Sequence, residues 1–198
     1  MSIAALKGNA NGTGTVTIET PNTNSDFTIS LPAGTGTAVV NGVNSAIVSG
    51  TSVASTSGTS IDFTNIPSWV KRITVMFNGV STNGSSLLLV QLGNGSIVST
   101  GYNGYYFLNA TYRGSFSTGF ILRGLSASTS VNYGSIVLTN FSGNTWLETS
   151  IVADSGYSLD TTQSGGSLAL SSTLDRVRIT TVNGTDTFDA GTINIFYE

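Results

Sequence analysis

The chain has 198 residues, of which 39% are hydrophobic and only 9% are charged, and its formal net charge is −3. An average globular protein has about 25% charged residues, so hydroxyl and amide groups must supply most of the surface polarity here. The absence of cysteine and histidine excludes disulfides, Cys/His zinc sites, cysteine nucleophiles and the Ser-His-Asp triad. Low charge also means weak self-repulsion, which suits a subunit that associates closely with copies of itself.

Two classes of partner are not expected. Phosphate binding needs clustered Lys and Arg, and the chain has only seven basic residues in all, so we expect no nucleic-acid partner. The N-terminus, MSIAALKGNANG, lacks the apolar core of a signal peptide. No window approaches the about 18 apolar residues of a membrane span. We therefore expect a soluble protein that is made in a cytoplasm and does not insert into a membrane.

The first 59 residues are predicted to form an extended arm. Apolar and polar side chains alternate with a period of two in residues 14–19 and 26–31, and a turn-forming run joins them, which predicts a β-hairpin. A two-stranded hairpin is marginal in water, so other copies of the chain are the nearest candidates to cover its apolar face. Residues 32–59 are rich in small polar residues and are predicted to be either a flexible linker or a stalk of short extended segments.

From residue 60 onward, strand patterns alternate with turn signals and no helical period occurs. Residues 70–77 become apolar on both faces near their end, which predicts a central strand. The other predicted strands follow the spacing of about 8–12 residues that is typical of sandwiches and barrels. They are residues 61–63, 86–92, 104–108, 117–122, 133–140, 145–153, 167–171, 176–182 and 192–197. We predict an all-β fold: a jelly-roll-like two-sheet β-sandwich head domain (60–198), preceded by an extended attachment arm with a β-hairpin (1–59).

Three blocks of the chain carry a family resemblance. They are SIDFTNIPSWVKRITVMFNGVSTNGSS (60–86), QLGNGSIVSTGYNG (91–104) and LDRVRITTVNGTDTFDAGTINIFYE (174–198). Together they resemble a domain that recurs at the C-terminal end of tailed-phage virion proteins, often labelled tail fibre. In addition, residues 8–37 resemble a short element of phage fibre stalks.

The blocks depart from typical members of the family at three positions. Asn65 replaces a glycine, Thr192 a serine and Phe196 a leucine. The resemblance covers most of residues 60–198 and is loosest across residues 105–130. It implies a virion structural role and a homotrimer.

On this basis we expect a phage virion protein of the fibre type, made in the host cytoplasm. Residues 1–59 would anchor it to other virion proteins, and the sandwich would project outward. One placement is a tail fibre or adhesin whose head binds a host cell-surface glycan. The alternative is a capsid-attached head fibre or decoration protein, because long-reach fibres usually need more than about 60 residues of stalk at about 3.3 Å per extended residue.

An aromatic cluster is the candidate ligand-binding site, and a glycan is the expected ligand. Its members are Tyr102, Tyr105, Tyr106, Phe107, Tyr112 and Phe116, with Asn103, Asn109 and Arg113 among them. The residues expected to bind the ligand are Tyr102, Tyr105, Tyr106, Tyr112 and Arg113. Aromatic rings pack on the apolar faces of sugars, while guanidinium and amide groups bond sugar hydroxyls. The competing interpretation is that alternate residues of this segment, such as Tyr106 and Leu108, fill the sandwich core or a subunit interface, since half of any strand faces inward.

No constellation of residues names a reaction. Asp154 with Asp160, and Asp186 with Asp189, are carboxylate pairs close in sequence. Glycosidases need two carboxyls about 5–10 Å apart and calcium sites need several oxygen ligands, but no accompanying motif is present. We interpret these residues as turn caps and expect no catalytic residue, metal or cofactor, with a polysaccharide-degrading enzyme as the remaining alternative. Trp69 is interpreted as a plug at one end of the sandwich rather than an exposed anchor.

Overall fold

A computed structural model describes Thr13 and residues 47–198, apart from residues 109–111, 123–126 and 158. The predicted hairpin and residues 32–46 lie outside the described residues. The chain divides into two compact units, 1–38 and 39–198, and all described strands belong to the second.

Fourteen strands and no helix occur in the described part of the chain, and all pairings given for the strands are antiparallel. The large sheet consists of β1 (Val48–Ser49), β2 (Val53–Ala54), β4 (Arg72–Thr82), β7 (Asn103–Leu108), β8 (Tyr112–Phe116), β10 (Asn132–Ser142), β11 (Thr145–Asp154), β12 (Thr161–Ala169) and β14 (Phe188–Tyr197). The small sheet consists of β3 (Ser60–Thr64), β5 (Leu88–Asn94), β6 (Ser96–Ile97), β9 (Phe120–Ile121) and β13 (Arg176–Thr181). The predicted all-β, two-sheet β-sandwich is confirmed.

The strand order explains the jelly-roll-like character. In the large sheet the order is β1-β14-β4-β10-β11-β12-β7-β8, with β2 also paired to β14; in the small sheet it is β3-β13-β5-β6, with β9 paired to β5. Strands β4 and β14 are neighbours in the large sheet. In the chain, β5 follows β4 and β13 precedes β14, and β5 and β13 are neighbours in the small sheet. The β4–β5 and β13–β14 connections therefore both cross between sheets, as in a jelly roll. Strands β10, β11 and β12 instead form a meander within the large sheet.

The core lies between the inner faces of the two sheets. Val75 of β4 lies opposite Ile136 of β10 on one side and Ile195 of β14 on the other, and all three side chains are buried. Burying an aliphatic side chain of this size stabilises the fold by about 1.5–3 kcal/mol. Since β4 has a partner on each side, the prediction of a central strand over residues 70–77 is confirmed in position.

Two short strands before residue 60 belong to the large sheet. Val48 and Ser49 pair with Tyr197 and Phe196 of β14, and β2 pairs with the same strand. The second compact unit therefore contains residues that the sequence assigned to the attachment arm. These two-residue strands are surrounded by Gly, Ser and Thr, so they carry too little alternation to be recognised by period.

Trp69 lies in the loop between β3 and β4. Its ring centroid is 5.9 Å from that of Tyr197 at an interplanar angle of 52°. Half of the residue is exposed. Trp69 therefore packs against the side of Tyr197 at the rim and does not fill the sandwich interior.

Candidate functional site

The aromatic residues of β7 alternate between the two faces of the large sheet. Tyr105 and Phe107 are 57% and 48% exposed, whereas Tyr106 and Leu108 are 6% and 4% exposed. This is the two-residue period of a strand with one buried face. The interpretation that Tyr106 and Leu108 fill the core is confirmed, and Tyr105 remains available to a ligand.

Tyr102 is buried just before β7, with 4% of its surface exposed. Its hydroxyl accepts a hydrogen bond of 2.7 Å from the backbone N–H of Leu92 and donates one of 2.9 Å to the carbonyl of Val98. The ring packs edge-on against Phe120 at a centroid distance of 4.8 Å. Burial raises the pKa of the Tyr102 phenol far above its ordinary value. The expectation that Tyr102 contacts a glycan is therefore corrected, because both ring and hydroxyl are engaged inside the protein.

Tyr106 also belongs to the core, and glycine makes room for its ring. A Cβ at Gly114, the residue opposite Tyr106 on β8, would collide with that ring. A Cβ at Gly104 would collide in the same way with the ring of Phe116. The expected glycan contact of Tyr106 is corrected for the same reason as that of Tyr102: the side chain faces the sandwich interior.

Three of the exposed residues form what we call the outer strip: Tyr105, Phe107 and Arg113. Phe107 lies directly opposite Arg113 on β8 and directly opposite Gln163 on β12. Side chains opposed in this way have Cβ atoms about 4.5–5.5 Å apart. The phenyl ring is thus flanked by a guanidinium on one strand and an amide on the other.

Tyr105 has a different setting within the outer strip. Its neighbours across the two ladders are Ser115 on β8 and Gly165 on β12. Because glycine has no side chain, the ring of Tyr105 has no side-chain neighbour at this register on its β12 side. An exposed aromatic face beside bare backbone admits a flat apolar surface such as one face of a sugar ring.

Tyr112 pairs with Leu108 at the start of β8. Its side chain lies outside the described part of the chain, as does Asn109. The structure therefore brings Tyr105 and Arg113 together with Phe107, which belongs to the predicted aromatic cluster but not to the five residues expected to bind the ligand. It separates Tyr105 and Arg113 from Tyr102 and Tyr106 by the thickness of the sheet.

The two rings of the outer strip, Tyr105 and Phe107, lie at one end of a wider face that has no charged side chain. Two rows of residues lie on the outward side of the large sheet, and within each row neighbouring residues are directly opposed across a strand pair. Each row crosses six strands, in the order β14, β4, β10, β11, β12 and β7. The first row is Asn194, Met76, Ser135, Ile151, Gln163 and Phe107. The second row is Phe196, Thr74, Val137, Thr149, Gly165 and Tyr105. We call these twelve positions the flat face, and none of them is Asp, Glu, Lys or Arg.

The outer side of the small sheet has the opposite character. Arg178 of β13 lies opposite Asp62 of β3 and makes two hydrogen bonds of 2.7 Å to its carboxylate. Arg176 pairs with Asp175 at 2.7 Å, and this contact lowers the pKa of the Asp175 carboxyl. One side of the sandwich therefore carries paired charges suited to water, and the other carries apolar and hydroxyl groups.

A shallow depression interrupts the flat face at its centre. Its volume is about 200 Å³, and its lining comes from neighbouring positions of β10 and β11: Ser135, Val137, Thr149, Ser150 and Ile151. Ile151 also projects beside it and is 59% exposed. The flat face thus combines a projecting aliphatic side chain with an adjacent recess.

Asp154 organises a turn. Its carboxylate accepts hydrogen bonds of 2.9 to 3.0 Å from the backbone N–H groups of Val131, Gly156 and Tyr157. The backbone N–H of Asp154 in turn donates to the carbonyl of Asp160 at 2.9 Å. The interpretation of Asp154 as a turn cap is confirmed, because its oxygens are engaged by backbone donors.

The second carboxylate pair is engaged in a similar way. Asp186 accepts hydrogen bonds from the backbone N–H of Ser86 at 2.8 Å and from the side-chain amide of Asn183 at 2.6 Å. Asp189 accepts one from the hydroxyl of Ser81. In the part of the chain that the structure describes, no group of three or more Asp, Glu, His or Cys residues is arranged to hold a metal ion.

Glu148 is a buried carboxyl that the sequence pattern did not single out. It is 2% exposed, and its Oε1 accepts a hydrogen bond of 2.6 Å from Ser164 on β12. Its Oε2 is buried without a hydrogen-bond partner among the described residues. Burial raises the pKa of Glu148 to about 7, against the opposing effect of the Ser164 and Ser150 hydrogen bonds. The inward position of Glu148 could have been inferred from strand alternation, because Trp146 and Val152 lie on the same face of β11 and are buried.

Comparison with protein-family models, with curated proteins and with solved structures finds no match to this chain. None of the described residues forms a helix of the length and apolar character needed to cross a membrane.

Proposed function

We propose that this chain is a structural protein of a tailed-phage virion, a fibre-type subunit that is anchored through residues 1–59. Its β-sandwich projects from the particle and binds a host-surface glycan through the outer strip. Support for the virion role comes from the sequence resemblance of residues 60–86, 91–104 and 174–198, together with the all-β fold that this resemblance implies.

The observation that carries the binding proposal is the arrangement of Tyr105, Phe107 and Arg113. The two rings are exposed on one strand, and Arg113 lies across the ladder from Phe107. Sugars present apolar C–H faces and a rim of hydroxyls. Aromatic rings pack against the former, and the guanidinium of Arg113 with the amide of Gln163 donates hydrogen bonds to the latter. Strands β7 and β8 form one edge of the large sheet, so a polymer can approach the strip from the side.

A glycan array with the purified full-length chain tests the binding proposal. Tyr105→Ala removes one exposed ring, and we expect at least a tenfold loss of affinity for the glycan that the unaltered chain binds. The matched control is Tyr157→Ala, which removes another exposed tyrosine from a turn outside the outer strip. Equal affinity of Tyr105→Ala and the unaltered chain, or no glycan bound at all, would contradict the proposal.

The placement on the particle is a separate question with its own experiment. A tail fibre or adhesin and a capsid-attached head fibre or decoration protein both present a sandwich to the outside. Immunogold labelling of intact particles distinguishes tail from capsid. A polysaccharide-degrading enzyme, as the alternative from another class, would release reducing ends from host polysaccharide when the pure chain is added, whereas a binding protein would release none.

A further inference from the structure

We propose that the flat face packs against the flat face of a second copy of this chain. The inference rests on the proposed function and assigns one surface to self-association. It departs from the homotrimer that the resemblance implies, because a face that packs on its own copy relates two chains by a twofold axis. It concerns the twelve positions of the two rows together with Leu147, which is exposed on the same side of β11.

The first argument is the chemistry of the positions that face water in a single copy. An antiparallel sheet with one solvated face normally places polar residues at its outward positions. Here the outward positions of β11 hold Leu147 and Ile151, which are 41% and 59% exposed, and β14 adds Phe196. Contiguous exposed apolar side chains of this kind mark contact surfaces in soluble proteins.

The second argument is size. Six strands at about 4.8 Å spacing and about six residues at about 3.4 Å rise give a face of about 590 Å². Stable protein interfaces bury about 600–1,000 Å² on each partner. The flat face with the adjoining row of Leu147 therefore lies at the lower end of the size that a stable pair of copies requires.

The third argument identifies the occupant as a second copy. A twofold interface brings the same patch of both subunits together, so a charged patch would meet its own charge. The flat face has no Asp, Glu, Lys or Arg. Of the two arginines that border it, Arg72 on β4 is paired with Glu198 at 3.0 Å, and Arg113 on β8 lies at its β7 end. A partner with a charged surface would instead have to bury its charges unpaired, which is strongly unfavourable.

The fourth argument is shape. Ile151 projects beside a recess of about 200 Å³, so each copy offers both a side chain to insert and a place to receive one. The outer strip lies at the β7–β8 end of the rows. Tyr105 and Phe107 are the β7 ends of the two rows, so they lie at the rim of such an interface, and Arg113 on β8 lies outside it. A glycan reaches them from the β8 edge.

Sedimentation equilibrium of the full-length chain tests the proposal. We expect the unaltered chain to form an oligomer at micromolar concentration and Ile151→Asp to weaken self-association at least 100-fold, because a carboxylate would be buried without a partner. Val182→Asp is the matched control: Val182 is β-branched, 50% exposed and follows β13 of the small sheet. It should assemble as the unaltered chain does. Circular dichroism should give the same β-sheet spectrum for all three proteins, since both side chains are exposed in the single copy.

Thiol protection provides a second measurement that does not depend on destabilising the interface. The chain has no cysteine, so Thr149→Cys on the flat face and Thr64→Cys on β3 each carry a single thiol. Both positions are exposed in a single copy. In the oligomer, we expect maleimide to modify position 149 at least tenfold more slowly than position 64. When Ile151→Asp is also present, the two positions should react at similar rates.

Two results would overturn the inference. A chain that stays monomeric to about 100 μM has no such interface, and a glycan-array signal from that monomer would leave the binding function intact. An oligomer that is unaffected by Ile151→Asp, with position 149 freely reactive, would show that the copies associate through another surface.

Discussion

The hydroxyl of Ser164 donates a 2.6 Å hydrogen bond to Oε1 of Glu148 inside the sandwich, and Ser164 also shares a 2.5 Å hydrogen bond with Ser150. The other carboxyl oxygen of Glu148 has no partner in the described part of the chain. Burial favours the neutral form of a carboxyl in this setting, because ionisation would place an uncompensated charge in the core. The pair Glu148–Ser164 therefore makes the stability of the fold depend on pH.

We predict that the folded chain becomes less stable as the pH rises from 4.5 to 8. The pKa of Glu148 is raised from 4.5 to about 7 on folding, so the folded state binds the proton more tightly than the unfolded state. The contribution is fully present below pH 4.5 and is lost as the pH rises through 7. The Glu148→Gln variant lacks this titration and should be more stable than the unaltered chain at pH 8 by up to about 3 kcal/mol. Urea denaturation at several pH values measures the difference.

The control for this prediction is Glu198→Gln. Glu198 is partly exposed and paired with Arg72, and a surface pair of this kind contributes only about 0–1 kcal/mol. Its pH dependence should follow that of the unaltered chain. Parallel stability curves for Glu148→Gln and the unaltered chain between pH 5 and pH 8 would show that Glu148 does not titrate in this range.

Tyr102→Phe should destabilise the fold without affecting ligand binding. The change leaves the N–H of Leu92 and the carbonyl of Val98 without the hydroxyl that joins them, at a cost of about 1–3 kcal/mol. The edge-on contact with Phe120 is retained, so packing is unchanged. Chemical denaturation gives the stability and the glycan array gives the binding. An unaltered denaturation midpoint would mean that the buried hydroxyl contributes nothing to stability.

Gly114→Ala should destabilise the fold by overpacking. The new methyl group would meet the ring of Tyr106, and inserting a methyl group into a filled core typically costs about 1–3 kcal/mol. Gly165→Ala is the matched control, because the nearest atom to a Cβ there is the Glu148 carbonyl oxygen at 3.9 Å. Thermal denaturation of both variants makes the comparison. If Gly114→Ala melts no earlier than Gly165→Ala, the glycine is not needed to accommodate the ring.

The strand pattern could be predicted where apolar and polar residues alternate strictly. Residues 70–77, 133–140 and 145–153 were each predicted as strands and lie within or overlap β4, β10 and β11. The greater part of β12 was not predicted. Three of its inward positions are the small or polar residues Thr162, Ser164 and Gly166. Ser164 faces the carboxyl of Glu148, and Gly166 lies against the ring of Phe116. Small and polar residues at buried positions remove the period on which the prediction depends.

The candidate site was predictable in location but not in membership. Strand alternation alone puts Tyr105 and Tyr106 on opposite faces, yet it does not say which face is outward. That choice depends on Gly104 and Gly114, which leave room for rings on the inner side. The pairing of Phe107 with Arg113 depends on the register of β7 with β8, which the aromatic pattern of the segment does not specify. The burial of Tyr102 depends on Leu92 and Val98, which lie outside the aromatic segment.

Cryo-electron microscopy of phage particles purified from a culture that expresses this chain is the most direct test of the proposed virion role. We expect sandwich-shaped density at the particle surface, with copies grouped so that the large sheets face one another and the β7–β8 edges point outward. Peptides of the chain should be recovered from the same particles by mass spectrometry in stoichiometric amounts. Particles that contain none of the chain, while the chain is abundant in the lysate, would contradict the virion role.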